Sequence, residues 1–139
     1  MSKISELVAF AKANPSYKAT KEINFSNVSK LQSDKIFAST GIEIKGFLKV
    51  LSVYAITHII KRHGNNYLEQ KFNNQIGVTD LDFEYLPEIL LNPDSVTRVK
   101  DGNRGKPALL FVKTLYSQEY NVVVTLFKKR LEINTMYIK

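Results

Sequence analysis

From Val96 onward the chain reads as strands joined by turns. Val96–Lys100, Ala108–Thr114, Tyr120–Phe127 and Leu131–Ile138 are four runs carrying β-branched and aromatic residues, among them Val122-Val123-Val124 and Ile133, Met136 and Tyr137. Asp101–Pro107 is a turn-rich loop. The short connections Tyr116-Ser117-Gln118 and Lys128-Lys129-Arg130 imply antiparallel hairpins. A four-stranded antiparallel meander follows. It needs a second layer over its apolar face, and only the first two-thirds of the chain can supply it.

That earlier portion is mostly helical in pattern. Ile4, Leu7, Val8 and Ala11 recur at helical spacing within Ser2–Ala13, with Ser2 as cap and Asn14-Pro15 as stop. Ile23 and Phe25 alternate as in a strand, Asn27–Ala38 reads as helix and loop, and Ser39-Thr40-Gly41 as a turn. Ile42–Leu51 alternates again, with Ile42, Ile44, Leu48 and Val50 on one face. Ser52 then caps a helix over Val53–Arg62 with the stripe Val53, Ile56, Ile59 and Ile60, and Gly64 stops it. Asn65–Gln75 is polar, a loop with Tyr67 and Phe72 exposed. Thr79-Asp80-Leu81-Asp82 is a capping-box signature for a helix that Pro87 must kink or split. The expected fold is α+β, with N-terminal helices packed on a C-terminal four-stranded antiparallel sheet. Residues 1–41 form an unassigned extension, compact with a main domain over 42–139.

At 139 residues the chain suits one domain and needs no staple. It has no cysteine, which excludes disulfides, iron–sulfur clusters, Cys-type zinc sites and thiol catalysis. The longest apolar stretches, such as Ala108–Val112, are far too short to span a membrane. Glu6 and Lys12 break the apolar character of the amino terminus, so a cytoplasmic protein without a membrane partner is expected, or one delivered into a target cell as part of a larger toxin. The net charge of +7 suggests an anionic partner. Its distribution is uneven. Residues 80–94 hold five acids and no Lys or Arg, whereas residues 98–139 hold nine Lys or Arg against three acids. A basic sheet beside an acidic helix would focus a phosphate-bearing ligand on one face.

The two histidines fall in one segment, His58-Ile59-Ile60-Lys61-Arg62-His63-Gly64. At about 100° per residue, Lys61 and Arg62 share the helix face of His58, and His63 does not. His63 adjoins the Gly64 stop, where the backbone is free to turn it. Imidazoles exchange protons near neutral pH, and a guanidinium holds a phosphate through two parallel hydrogen bonds. Together they suit phosphodiester cleavage. The same residues also fit ordinary helix C-terminal chemistry. A zinc site is poorly supported, because spacing i, i+5 is not that of H-E-x-x-H and no nearby carboxylate completes the set. Arg104 and Lys106 lie in a glycine-flanked loop able to meet a phosphate, but no P-loop pattern is present. Thr135 and Tyr137 share one strand face, and their hydroxyls suit a phosphate or a base as well as plain exposure to solvent. No motif for a redox cofactor occurs.

The order of these pieces resembles a known family. A helix ending H-I-I-K-R-H-G, a polar gap, the segment T-D-L-D-F-E-Y-L-P-E-I-L-L-N-P-D and strands ending N-T-M-Y-I-K are similar to phage-associated nuclease domains of the barnase–EndoU–colicin–RelE-like superfamily. The resemblance covers about Ile42–Lys139. It implies metal-independent RNA cleavage with no cofactor, through 2′-OH attack to a 2′,3′-cyclic phosphate. By position it makes His58 and His63 the base and acid in either order, Arg62 the phosphate clamp and Thr135 a phosphate hydrogen-bond donor. Lys61, Arg104 and Lys106 would guide RNA, and Tyr137 belongs to the matching last-strand motif. A toxin role implies a cognate immunity or antitoxin protein as partner beside RNA. Two other functions use the same residues: a nucleic-acid-binding module without catalysis, and a phage-encoded protein-interaction domain centred on the acidic segment 80–94.

Overall fold

Local signals place the helices. A computed structural model describes residues 2–16, 21–64, 75–100 and 105–139. Helix α1 spans Lys3–Ala13, with the Ser2 hydroxyl accepting from the Ser5 amide, and it buries the expected Ile4, Leu7, Val8 and Ala11. Strand β1 is Glu22–Asn27. Helix α2, Lys30–Thr40, opens with a full capping box between Ser29 and Gln32 and closes on Gly41 at φ +75°. Strand β2, Leu48–Ser52, runs straight into helix α3, Val53–His63, whose first turn the Ser52 hydroxyl caps. Two short helices follow, α4 at Asp80–Phe83 and α5 at Leu86–Leu91. Pro87 falls in the first turn of α5, where its missing N–H costs nothing, so the helix is split in two.

The meander forms as β3 (Ser95–Val99), β4 (Ala108–Leu115), β5 (Gln118–Phe127) and β6 (Arg130–Ile138). The expected four-stranded antiparallel sheet is too small. The sheet has six strands in the order β1-β2-β6-β5-β4-β3 and is mixed, because β2 pairs with β6 in parallel through Leu48–Arg130, Lys49–Leu131 and Val50–Glu132. The stretch read as one strand over Ile42–Leu51 is a strand only from Leu48. Ahead of it, Gly46 at φ +79° makes a turn whose amide donates to the Val28 carbonyl. Arg130 ties the enlarged sheet across β2, with its guanidinium on Glu22 of β1 at 2.5 Å and on Glu132 at 3.2 Å.

The helices cover one sheet face. Leu109, Phe111, Tyr120, Val122, Val124, Leu131, Ile133, Met136 and Ile138 join Ile4, Leu7, Val8, Ile56, Ile59, Phe83, Leu86 and Ile89 in a single core. Ile133 and Met136 both face that core although they stand three positions apart, where simple alternation would put them on opposite faces. A bulge makes this possible: Val123 pairs with Thr135, Val124 pairs with Ile133, and Asn134 is the extra residue. No helix among the described residues is long and apolar enough to cross a membrane.

Candidate active site

Helix α3 and strand β6 build the site. Val53, Ala55, Ile56 and Ile59 bury one side of α3, which leaves His58 and His63 half-buried at the boundary and Lys61 and Arg62 exposed. Because β2 gives way to α3 after Ser52, α3 packs beside the second half of β6. The bulge at Asn134 sets Thr135 and Tyr137 on the face of β6 opposite Met136 and Ile138.

Three aromatic rings converge there. The rings of His58 and His63 lie 6.4 Å apart in a T-shaped arrangement, too far for a direct hydrogen bond. The His63 ring lies 5.7 Å from that of Tyr137, tilted by 40°. Helical spacing alone separates His58 from His63, yet the last turn of α3 swings the rings to one place. Gly64 allows this. A Cβ there would run into the carbonyl of Ile60, and the Gly64 amide donates to that same carbonyl at 3.1 Å.

Electrostatics distinguish His58. Burial, the Arg62 guanidinium and the neighbouring His63 hold its imidazole below the ordinary value. It is therefore neutral at neutral pH and able to accept a proton. Arg62 forms no ion pair among the described residues, so its charge is directed outward beside the two rings. The Thr135 hydroxyl is buried and has no hydrogen-bond partner among the described residues.

Other expected residues fall elsewhere. Lys61 is exposed in the last turn of α3. Lys106 precedes β4, at the sheet end where β6 begins, whereas Tyr137 is at the end where β6 finishes. The structure does not bring Lys106 to the histidines. Arg104 lies outside the described residues, as do Tyr67 and Phe72. Two residues escaped the sequence. Oε1 of Gln75 lies 3.1 Å from Nδ1 of His63, and the Lys139 ammonium sits 5.8 Å from the centre of the Tyr137 ring. Gln75 stood at the end of a polar stretch with nothing to single it out. Among the described residues no three His, Asp or Glu side chains gather as a metal site would require.

A family model described as phage-Barnase-EndoU-ColicinE5/D-RelE like nuclease3 matches residues 26–139. The chain belongs to this family. It is thus a nuclease of the barnase, EndoU, colicin and RelE type. The match begins at Ser26, so it takes in the end of β1 and all of α2, which the resemblance over Ile42–Lys139 left out. The α3–β6 corner lies within the matched span. None of the curated proteins and none of the solved structures matches the chain.

Proposed function

We propose that this nuclease cleaves RNA by metal-independent transphosphorylation, with His58 as base and His63 as acid. One observation carries the assignment: two imidazoles 6.4 Å apart, one of them biased toward its neutral form. In-line displacement places the attacking and leaving oxygens on opposite sides of phosphorus. Acid and base must then flank a phosphate rather than touch each other, and two separated rings meet that need.

The steps balance as follows. Neutral His58 takes the proton of the ribose 2′-OH as the 2′-oxygen bonds to phosphorus. Protonated His63 gives its proton to the 5′-oxygen as the P–O5′ bond breaks. The products are a 2′,3′-cyclic phosphate and a free 5′-hydroxyl. Arg62 offsets the charge on the non-bridging oxygens. Thr135 carries an unpartnered hydroxyl that donates to the same phosphate once binding uncovers it, and the Tyr137 ring offers a surface for a base. Lys61 draws RNA to this corner, and Arg104 and Lys106 act further along the strand. A role as a toxin acting on cytoplasmic RNA, with an immunity or antitoxin protein as partner, accords with this chemistry.

The test is incubation with total bacterial RNA in EDTA. Wild type should yield fragments with 2′,3′-cyclic ends. His58→Ala and His63→Ala should each lose about 10²–10⁴-fold in rate. Cleavage that appears only with added Mg²⁺ would overturn the mechanism. Intact RNA bound in a salt-sensitive manner would replace it with a binding function.

A further inference from the structure

We infer that Gln75 is a positioning residue that fixes the tautomer and orientation of His63, an inference that rests on the proposed acid role of that ring. Oε1 of Gln75 is 3.1 Å from Nδ1 of His63. A carbonyl oxygen only accepts, so Nδ1 carries the hydrogen and Nε2 is the nitrogen that gains and loses a proton.

The chain places Gln75 deliberately. The next residue, Ile76, donates its amide to the Ile138 carbonyl at 2.8 Å, an isolated antiparallel bridge at the end of β6. Val78 donates to the His63 carbonyl at 2.7 Å. The segment is thus stitched both to the strand bearing Tyr137 and to the last residue of α3. The Gln75 side chain adds a third tie, made to the ring itself. Its carbonyl oxygen selects the Nδ1–H tautomer. With it, one nitrogen is consistently presented.

An amide differs from the carboxylate that often backs a functional histidine. A carboxylate would stabilise the imidazolium and delay proton release. An amide orients the ring without that bias, so the proton stays transferable. Near the ring stand His58 on α3 and, on the strand side, Tyr137 with Lys139 over the tyrosine ring.

The test uses the full chain labelled with ¹⁵N-histidine. The nitrogen shifts of His63 are read against pH in wild type, Gln75→Ala and Gln75→Glu, with RNA cleavage followed in parallel. Wild type should show neutral His63 with hydrogen on Nδ1. Gln75→Ala should show mixed tautomers and a rate lower by roughly 10- to 100-fold. Gln75→Glu, nearly isosteric, should restore the Nδ1–H tautomer and move the His63 titration and the alkaline limb of the rate profile upward together. A wild-type ring with hydrogen on Nε2, or an unchanged tautomer in Gln75→Ala, would overturn the inference. If the tautomer follows Gln75 while RNA stays intact in every sample, the positioning role stands and the ribonuclease mechanism falls.

Discussion

The phenol of Tyr120 donates a 2.5 Å hydrogen bond to Oδ1 of Asp82 inside the core. The other carboxylate oxygen accepts from the amide of Thr79 at 2.7 Å and its hydroxyl at 3.0 Å. One buried carboxylate thus completes the capping box of α4 and fastens that helix to β5. Tyr120→Phe would leave Oδ1 without this donor. A loss of about 1–3 kcal/mol is expected, read as a lower urea midpoint. Burial, the bond to Asp82 and its charge together raise the Tyr120 pKa above 10.0. Its contribution is therefore complete below pH 10.0 and declines above it, as the unfolded chain ionises first. The difference between wild type and Tyr120→Phe should shrink above that pH. An unchanged midpoint would show the bond to be dispensable.

Lys49 presents the opposite case. It is 2% exposed, its ammonium donates to Oε1 of Gln32 at 3.2 Å, and no acid pairs with it among the described residues. Burial lowers its pKa from 10.5. Lys49→Met should stabilise the fold by about 1–3 kcal/mol, because Gln32 keeps its bonds to the Ser29 amide and the Leu90 carbonyl. A lowered pKa favours the neutral amine in the fold, so wild-type stability falls as pH drops from 10.5 toward the folded value. The gain from Met should be largest at neutral pH and fade toward 10.5. Destabilisation at neutral pH would mean that the Gln32 bond outweighs the desolvation cost.

In the proposed mechanism, loss of Arg62 should change rate and pH profile together. Its charge helps to depress the His58 pKa, so Arg62→Ala should raise it. The acid limb of kcat/KM, expected below 6.5 in wild type, should move upward. Loss of the clamp should also cost about 10²-fold in kcat. NMR titration of His58 checks the first effect without RNA, and a limb that stays fixed would remove Arg62 from the site.

Gly64→Ala tests the close approach at the end of α3. The new methyl would run into the Ile60 carbonyl, so the last turn must open and carry His63 with it. A cost on the order of 1–3 kcal/mol is expected, together with loss of the His63–Tyr137 ring contact. Ring-proton contacts between these residues in wild type and variant would show it. A variant of full stability and activity would mean that the turn accommodates a side chain.

The meander was legible because its strands lie close in sequence. Val96–Lys100 and Ser95–Val99 differ by one residue at each end, and the turn at Tyr116-Ser117 joins β4 and β5 as expected. The two added strands left less trace. The pairing of Leu48–Val50 with Arg130–Glu132 joins segments far apart in the chain, and no local pattern announces a parallel neighbour. The histidines were legible as a pair, but their approach to Tyr137 depends on the bulge at Asn134 and on β2 ending at Ser52. Gln75 was invisible, because its importance lies in the backbone bonds of Ile76 and Val78 on either side of His63.

The parallel joint between β2 and β6 has a consequence for biosynthesis. Translation delivers α3, with both histidines, well before β6 exists to lie beside it. Until β6 emerges and pairs, Tyr137 cannot meet His63, and β2 lacks its inner neighbour. A nascent chain in which β6 has not yet paired, or one terminated ahead of it, therefore carries both imidazoles without the strand that completes the candidate site.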